Sequence, residues 1–126
     1  MIDQENIKKF NQACSSGDLD LIKYLIGLGL EIKGDSGFQL AIECGELLIS
    51  DYLLELYSKK NIKIYWDQAL YNAIRGIGLK SVKYLLENQE KNKFSKEDIN
   101  NAMTDAYWMR DKEIIEYMEK KLKMSN

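Results

Sequence analysis

Four alanine–tyrosine pairs with one internal spacing run through the chain: Ala13 with Tyr24, Ala41 with Tyr52, Ala73 with Tyr84, and Ala106 with Tyr117, each eleven residues apart. The residue after each tyrosine is large and apolar (Leu25, Leu53, Leu85, Met118), as is the residue three before each alanine (Phe10, Phe38, Leu70, Met103). The residue after each alanine, Cys14, Ile42, Ile74 or Tyr107, is able to enter a core. The alanines stand 28, 32 and 33 residues apart (13 to 41, 41 to 73, 73 to 106). A period near this length, filled by two short helices, is the arithmetic of a stacked helical array.

The local pattern agrees. Leu19, Leu21, Ile22, Leu25 and Ile26 share one side of a helix, with Asp20, Lys23 and Gly27 toward solvent and Asp18 at the N-cap. Upstream, Asp3 is placed to cap a helix in which Ile7, Phe10, Ala13 and Cys14 share a face. Ser15, Ser16 and Gly17 form a link so short that the two helices must run antiparallel. Proline is absent, so Gly, Asn and polar clusters must stop the helices. Only Ile62 to Trp66, "IKIYW", alternates with the period of a strand, and it is too short to seed a sheet alone. The expected fold is all-α: one domain, residues 1–126, of four stacked helix-turn-helix units at about 3–34, 35–64, 65–94 and 95–124. A single hairpin buries too little to offset an ordering entropy of about 1–2 kcal/mol per residue, so the units must stack. The alanines let helices approach, and each buried Leu, Ile or Phe contributes about 1.5–3 kcal/mol. The last helix, with Ile114, Ile115, Met118 and Leu122 on one side and charges elsewhere, is expected to act as a soluble cap that ends the array. Its mate begins at Ser95, with Asp98 completing a capping box.

The run "ACSSGDLDLIKYLIGLGLEI" resembles the ankyrin repeat. Ala13, Gly17, Leu19, Leu21, Ile22, Leu25, Gly29 and Ile32 occupy that family's pattern places. Unit two keeps Ala41, Gly45, Leu47, Ile49 and Leu53. Unit three keeps Ala73, Leu79, Val82 and Leu85 but has Ile77 at the glycine place, with Gly78 one position late. Unit four has drifted furthest, with Arg110 at the glycine and Lys112 at the leucine. The family's Thr-Pro-Leu-His opening is missing, its histidine place being held by Asn11, Gln39, Tyr71 and Thr104. The usual bridge between repeats must therefore be replaced or lost. Only Glu31 to Gly37 lie between the first two hairpins, so reduced β-turn fingers are expected.

Composition narrows the function. A net charge of −2 supplies no general attraction to phosphate, which argues against nucleic acid. No window reaches the roughly 20 apolar residues of a membrane span, and the start lacks the order of a signal peptide, so a cytoplasmic location is expected. Cys14 and Cys44 read as small packing residues in a reducing compartment. The chain has no histidine, hence no Ser-His or Cys-His dyad, and neither a phosphate loop nor a spaced ligand set. No enzymatic activity, cofactor or metal is expected. Carboxylates such as Asp18 with Asp20, or Glu43 with Glu46, fit helix N-termini and solvated faces.

What the resemblance implies is recognition of a partner protein on a concave face lined by the first helix of each unit. By position, that face takes Ser15, Ser16, Glu43, Cys44, Arg75, Gly76, Trp108 and Met109, with Ile7, Asp35, Asp67 and Asn100 six places before the alanines. The partner-binding set singled out is Glu43, Tyr65, Asp67, Arg75, Trp108 and Met109. Arg and Trp are enriched among residues that carry binding energy. Tyr65 and Trp66, in the linker before unit three, add a candidate aromatic anchor. Two alternatives stand beside these roles: Arg75 in an ion pair with Glu43, and Trp108 folded over the core edge. Tyr24, Tyr52, Tyr84 and Tyr117 are expected to be packing residues. The expected function is an intracellular adaptor or inhibitor. Small degenerate ankyrin proteins in viruses and host-associated bacteria suggest a host or defence protein as target. A small-molecule or nucleotide binder, and a homodimer or larger homo-oligomer, are the alternatives.

Overall fold

The computed structural model describes residues 2–88 and 94–124. Eight helices form among them: α1 (Ile2–Ser16), α2 (Leu19–Gly27), α3 (Ser36–Cys44), α4 (Leu47–Lys60), α5 (Trp66–Arg75), α6 (Leu79–Asn88), α7 (Lys96–Met109) and α8 (Lys112–Met124). They pair as four hairpins. The first helices stack as α1 on α3, α3 on α5 and α5 on α7, and each carries its own second helix behind it. No strand forms among the described residues, and "IKIYW" is an irregular connection that runs into α5. The connection between units three and four includes residues 89–93, outside the described residues, so the shape of that finger is not assigned.

The repeated positions hold the stack together. Ala13, Ala41, Ala73 and Ala106 are at most 1% exposed, and Leu25, Leu53, Leu85 and Met118 are all buried. Each alanine carbonyl also closes its hairpin turn by accepting the N–H five residues on: from Asp18 at 3.0 Å, Glu46 at 2.8 Å, Gly78 at 2.9 Å and Asp111 at 3.2 Å. In units one, two and four the turn passes through a left-handed residue, Gly17, Gly45 or Arg110. In unit three the left-handed residue is Gly78, one place later and itself the donor, and the turn closes through Gly76 in a different conformation. The late glycine frees Ile77 to donate its N–H to the Glu43 carbonyl of the preceding unit, at 2.8 Å. Gly76 permits that approach, because a Cβ there would collide with the Glu43 carbonyl oxygen.

The caps follow the sequence in two of three places. Asp18 Oδ1 accepts from Leu21 N–H at 3.1 Å, and Ser95 with Asp98 forms a reciprocal capping box. Asp3 lies inside α1, which already runs from Ile2, and its side chain is outside the described residues. In α8, Ile114 and Met118 are buried and Ile115 is half-buried, while the Leu122 side chain lies outside the described residues.

Other expectations are met only in part. Tyr84 is buried and donates to Asp51 at 2.5 Å, Tyr117 is half-buried and donates to Glu87, and Tyr52 is half-buried beneath Lys23. Tyr24, in contrast, is 62% exposed. These tyrosines pack against the unit before their own, and unit one has no such neighbour among the described residues. Tyr107 is exposed where Cys14, Ile42 and Ile74 are buried, because those three are covered by a following unit. Cys44 is exposed and is no packing residue, whereas Cys14 is enclosed and burial pushes its thiol up to about 12. Trp66 is no linker anchor: it opens α5 and packs edge-on between Phe38 and Phe94, with ring centroids 5.7 and 6.1 Å away.

Candidate partner-binding face

Glu43, Arg75 and Trp108 occupy the same register, two residues past the alanine, on the neighbouring helices α3, α5 and α7. Glu43 is half-buried and Arg75 is exposed. The two form no ion pair. Arg75 instead holds its guanidinium over the ring of Tyr71, one turn earlier on α5, at 5.3 Å from the centroid. This contact steadies a long side chain while leaving its donors free for another molecule. Trp108 does not fold over the core edge; it is 82% exposed. It lines a shallow depression with Thr104, Tyr107 and Arg110 at the end of α7, and Met109 beside it is half-exposed.

Asp67 opens a groove between α5 and α7. Its walls include Gln68 and Tyr71 from α5 and Asp98, Asn101 and Asp105 from α7. Desolvation raises the Asp105 carboxyl above its ordinary range, while Asp98 is engaged in its capping box. Tyr71 joins the two regions: it lines the groove and carries the Arg75 guanidinium over its ring. The surface therefore offers carboxylates and amides in a cleft, flanked by an arginine, two tyrosines and an open tryptophan.

Tyr65 sits at the other edge of α5. Its backbone is pinned twice, the N–H to Asp35 Oδ2 at 2.9 Å and the carbonyl by Gln39 Nε2 at 3.0 Å. Its ring is 53% exposed beneath Lys63. Gln39 thus replaces the missing histidine bridge at this junction, and its Oε1 also accepts from Asn72 Nδ2 at 2.9 Å. Asn11, one methylene shorter at the same place in unit one, leaves its Oδ1 buried without a partner. Tyr71, Asp105 and Tyr107 were not among the residues singled out from the sequence. Tyr71 was visible there only as a histidine-place residue, one helical turn before Arg75.

The sequence profile described as ankyrin repeats (3 copies) matches residues 10–96. The chain belongs to the ankyrin repeat family. An ankyrin repeat protein of Acanthamoeba polyphaga mimivirus is 32% identical over 76 residues, which is 59% of this chain and 12% of that protein. The chain thus spans about an eighth of this ankyrin relative. No solved structure matches significantly. Ankyrin repeats generally mediate protein–protein interaction and are in general not enzymes. No helix among the described residues is long and apolar enough to cross a membrane.

Proposed function

We propose that this ankyrin chain is a non-enzymatic scaffold that binds a partner protein across α3, α5 and α7 and acts inside the cell as an adaptor or inhibitor. The observation that carries this is Trp108, 82% exposed and in register with an Arg75 held over Tyr71. An open tryptophan beside a steadied arginine is the composition of an interface centre, where aromatic and Arg side chains supply most of the binding energy. The adjoining Asp67 and Asp105 favour a partner segment that brings Lys or Arg to the groove. The mimivirus relative is in keeping with a factor that acts on a host or defence protein. A small-molecule site is less well supported, because the depression at Trp108 is shallow and open, whereas such sites enclose most of their ligand.

The test is affinity capture from source-cell lysate with the wild-type chain and with an Arg75→Ala, Trp108→Ala variant, after circular dichroism shows both equally folded. A protein retained by the wild type and lost from the variant supports the face. Equal retention keeps the scaffold but removes this face, and no retained protein counts against the scaffold.

A further inference from the structure

The three internal junctions follow a register that also describes the outer faces of units one and four. At each junction the residue ten past an alanine meets the tyrosine eleven past the next: Lys23 with Tyr52, Asp51 with Tyr84, Lys83 with Tyr117. At the first and third junctions a left-handed glycine also faces the helix-capping position of the next unit, whereas at the second Gly45 faces the Ile77 side chain. A Cβ on Gly17 would sit 2.6 Å from the Glu46 carboxylate, and one on Gly78 would sit 3.5 Å from Asp111 Oδ2. Asp111 meanwhile uses Oδ1 to cap α8, so one carboxylate serves its own helix and faces its neighbour.

The same positions at the ends are exposed and complementary. Unit four presents Arg110 at the turn, Glu116 ten past its alanine, and Tyr107 one past it. Unit one presents Asp18 at the capping position, Tyr24 eleven past its alanine, and Lys9 four before it. Laid on the internal register, Arg110 meets Asp18, Glu116 meets the Tyr24 hydroxyl as Asp51 meets Tyr84, and the Tyr107 ring meets Lys9. We propose that unit four of one copy stacks on unit one of a second copy of this chain, head to tail, through these three pairs.

Lys9 stands where Gly37, Ala69 and Ala102 stand at the internal junctions, all of them buried. The new junction is therefore wider than the internal ones, rests on polar pairs, and is reversible. A head-to-tail contact does not close on itself after two copies, so the product is an open chain that lengthens with concentration. Exposed charge pairs are screened, so salt shortens it. The inference does not rest on the proposed function, but Tyr107 and Arg110 also line the Trp108 depression, so the end contact and a partner seated there exclude each other.

The test is sedimentation velocity of the whole chain from micromolar to millimolar concentration, with Arg110→Asp and Asp18→Lys variants. The wild type is expected to rise from 14.7 kDa past twice that mass. Each variant alone is expected to stay a monomer, because its two ends then carry like charges. An equimolar mixture of the two restores association, since both of its mixed contacts pair opposite charges. Because Asp18→Lys also removes the α2 cap, Asp18→Asn is measured beside it: the cap acceptor is kept, and association is expected to weaken with circular dichroism unchanged. A wild type fixed at the monomer mass overturns the proposal in favour of a different chain as occupant. A plateau at twice that mass marks a two-fold contact and also overturns it, as does wild-type association in folded Arg110→Asp or a mixture that stays monomeric.

Discussion

The junction between units two and three and the junction between units three and four bring together equivalent helices in the same order, yet they close differently. At the first, Gln39 reaches the Tyr65 carbonyl and Asn72, the Ile77 N–H bonds the Glu43 carbonyl, and the buried Ser81 hydroxyl donates to the Ile42 carbonyl at 2.6 Å. At the second, α5 and α7 part into a groove walled by Asp67, Asp98 and Asp105. Thr104, at the place of Gln39, turns back to its own helix and donates to the Asn100 carbonyl. A junction that satisfies its polar groups across the seam leaves nothing for a visitor, whereas one that leaves carboxylates facing a cleft leaves them available. In the function proposed above, stability and recognition fall to neighbouring seams.

The largest test of this contrast is Gly76→Ala. Its Cβ would collide with the Glu43 carbonyl, a backbone atom that cannot move aside alone, so the closed seam should lose about 1–3 kcal/mol or more, read by urea unfolding. A change near zero would mean that the seam is not held by this approach. Gln39→Ala comes next. It removes two cross-unit bonds at a half-buried site where water replaces part of the loss, and about 1 kcal/mol is expected. Thr104→Ala, its counterpart at the open seam, should change stability far less, and equal losses would erase the distinction between the seams.

The smallest effect has the opposite sign. Desolvation holds the Asp105 pKa above its unfolded value, so near neutral pH the charged carboxylate disfavours the folded state. Between the unfolded and the raised folded pKa the native chain binds more protons, so this penalty fades as pH falls through the folded value. Asp105→Asn should therefore raise the melting temperature slightly at pH 7, with the gain shrinking on acidification. A gain that is constant with pH would point away from the carboxylate's charge.

The scaffold was legible in the sequence because its signals are local and repeated. The alanines, the apolar residue after each tyrosine, and the caps at Asp18 and Ser95 could all be placed by counting. What escaped depends on which neighbour a residue meets. Tyr24 and Tyr107 carry the same register as buried residues and are exposed because no further described unit covers them. Ile77 reads as a defect in the glycine pattern, whereas the turn there is displaced by one residue and bonds the preceding unit. A register count makes Arg75 and Glu43 neighbours, but Tyr71, four positions earlier on the same helix, takes the guanidinium over its ring. A one-dimensional pattern specifies the rungs of this stack and says little about how two rungs meet.

The main-chain bond from Ile77 to Glu43 has a dynamic consequence. Helix amides are protected by partners on their own helix, so they report the opening of that helix alone. The Ile77 amide is protected by a carbonyl two helices back, and it exchanges with solvent whenever either unit two or unit three opens. Its hydrogen-exchange rate therefore reports the cooperativity of the middle pair: equal to the slowest core amides of α3 and α5 if the two units open as one, and faster than both if they open separately.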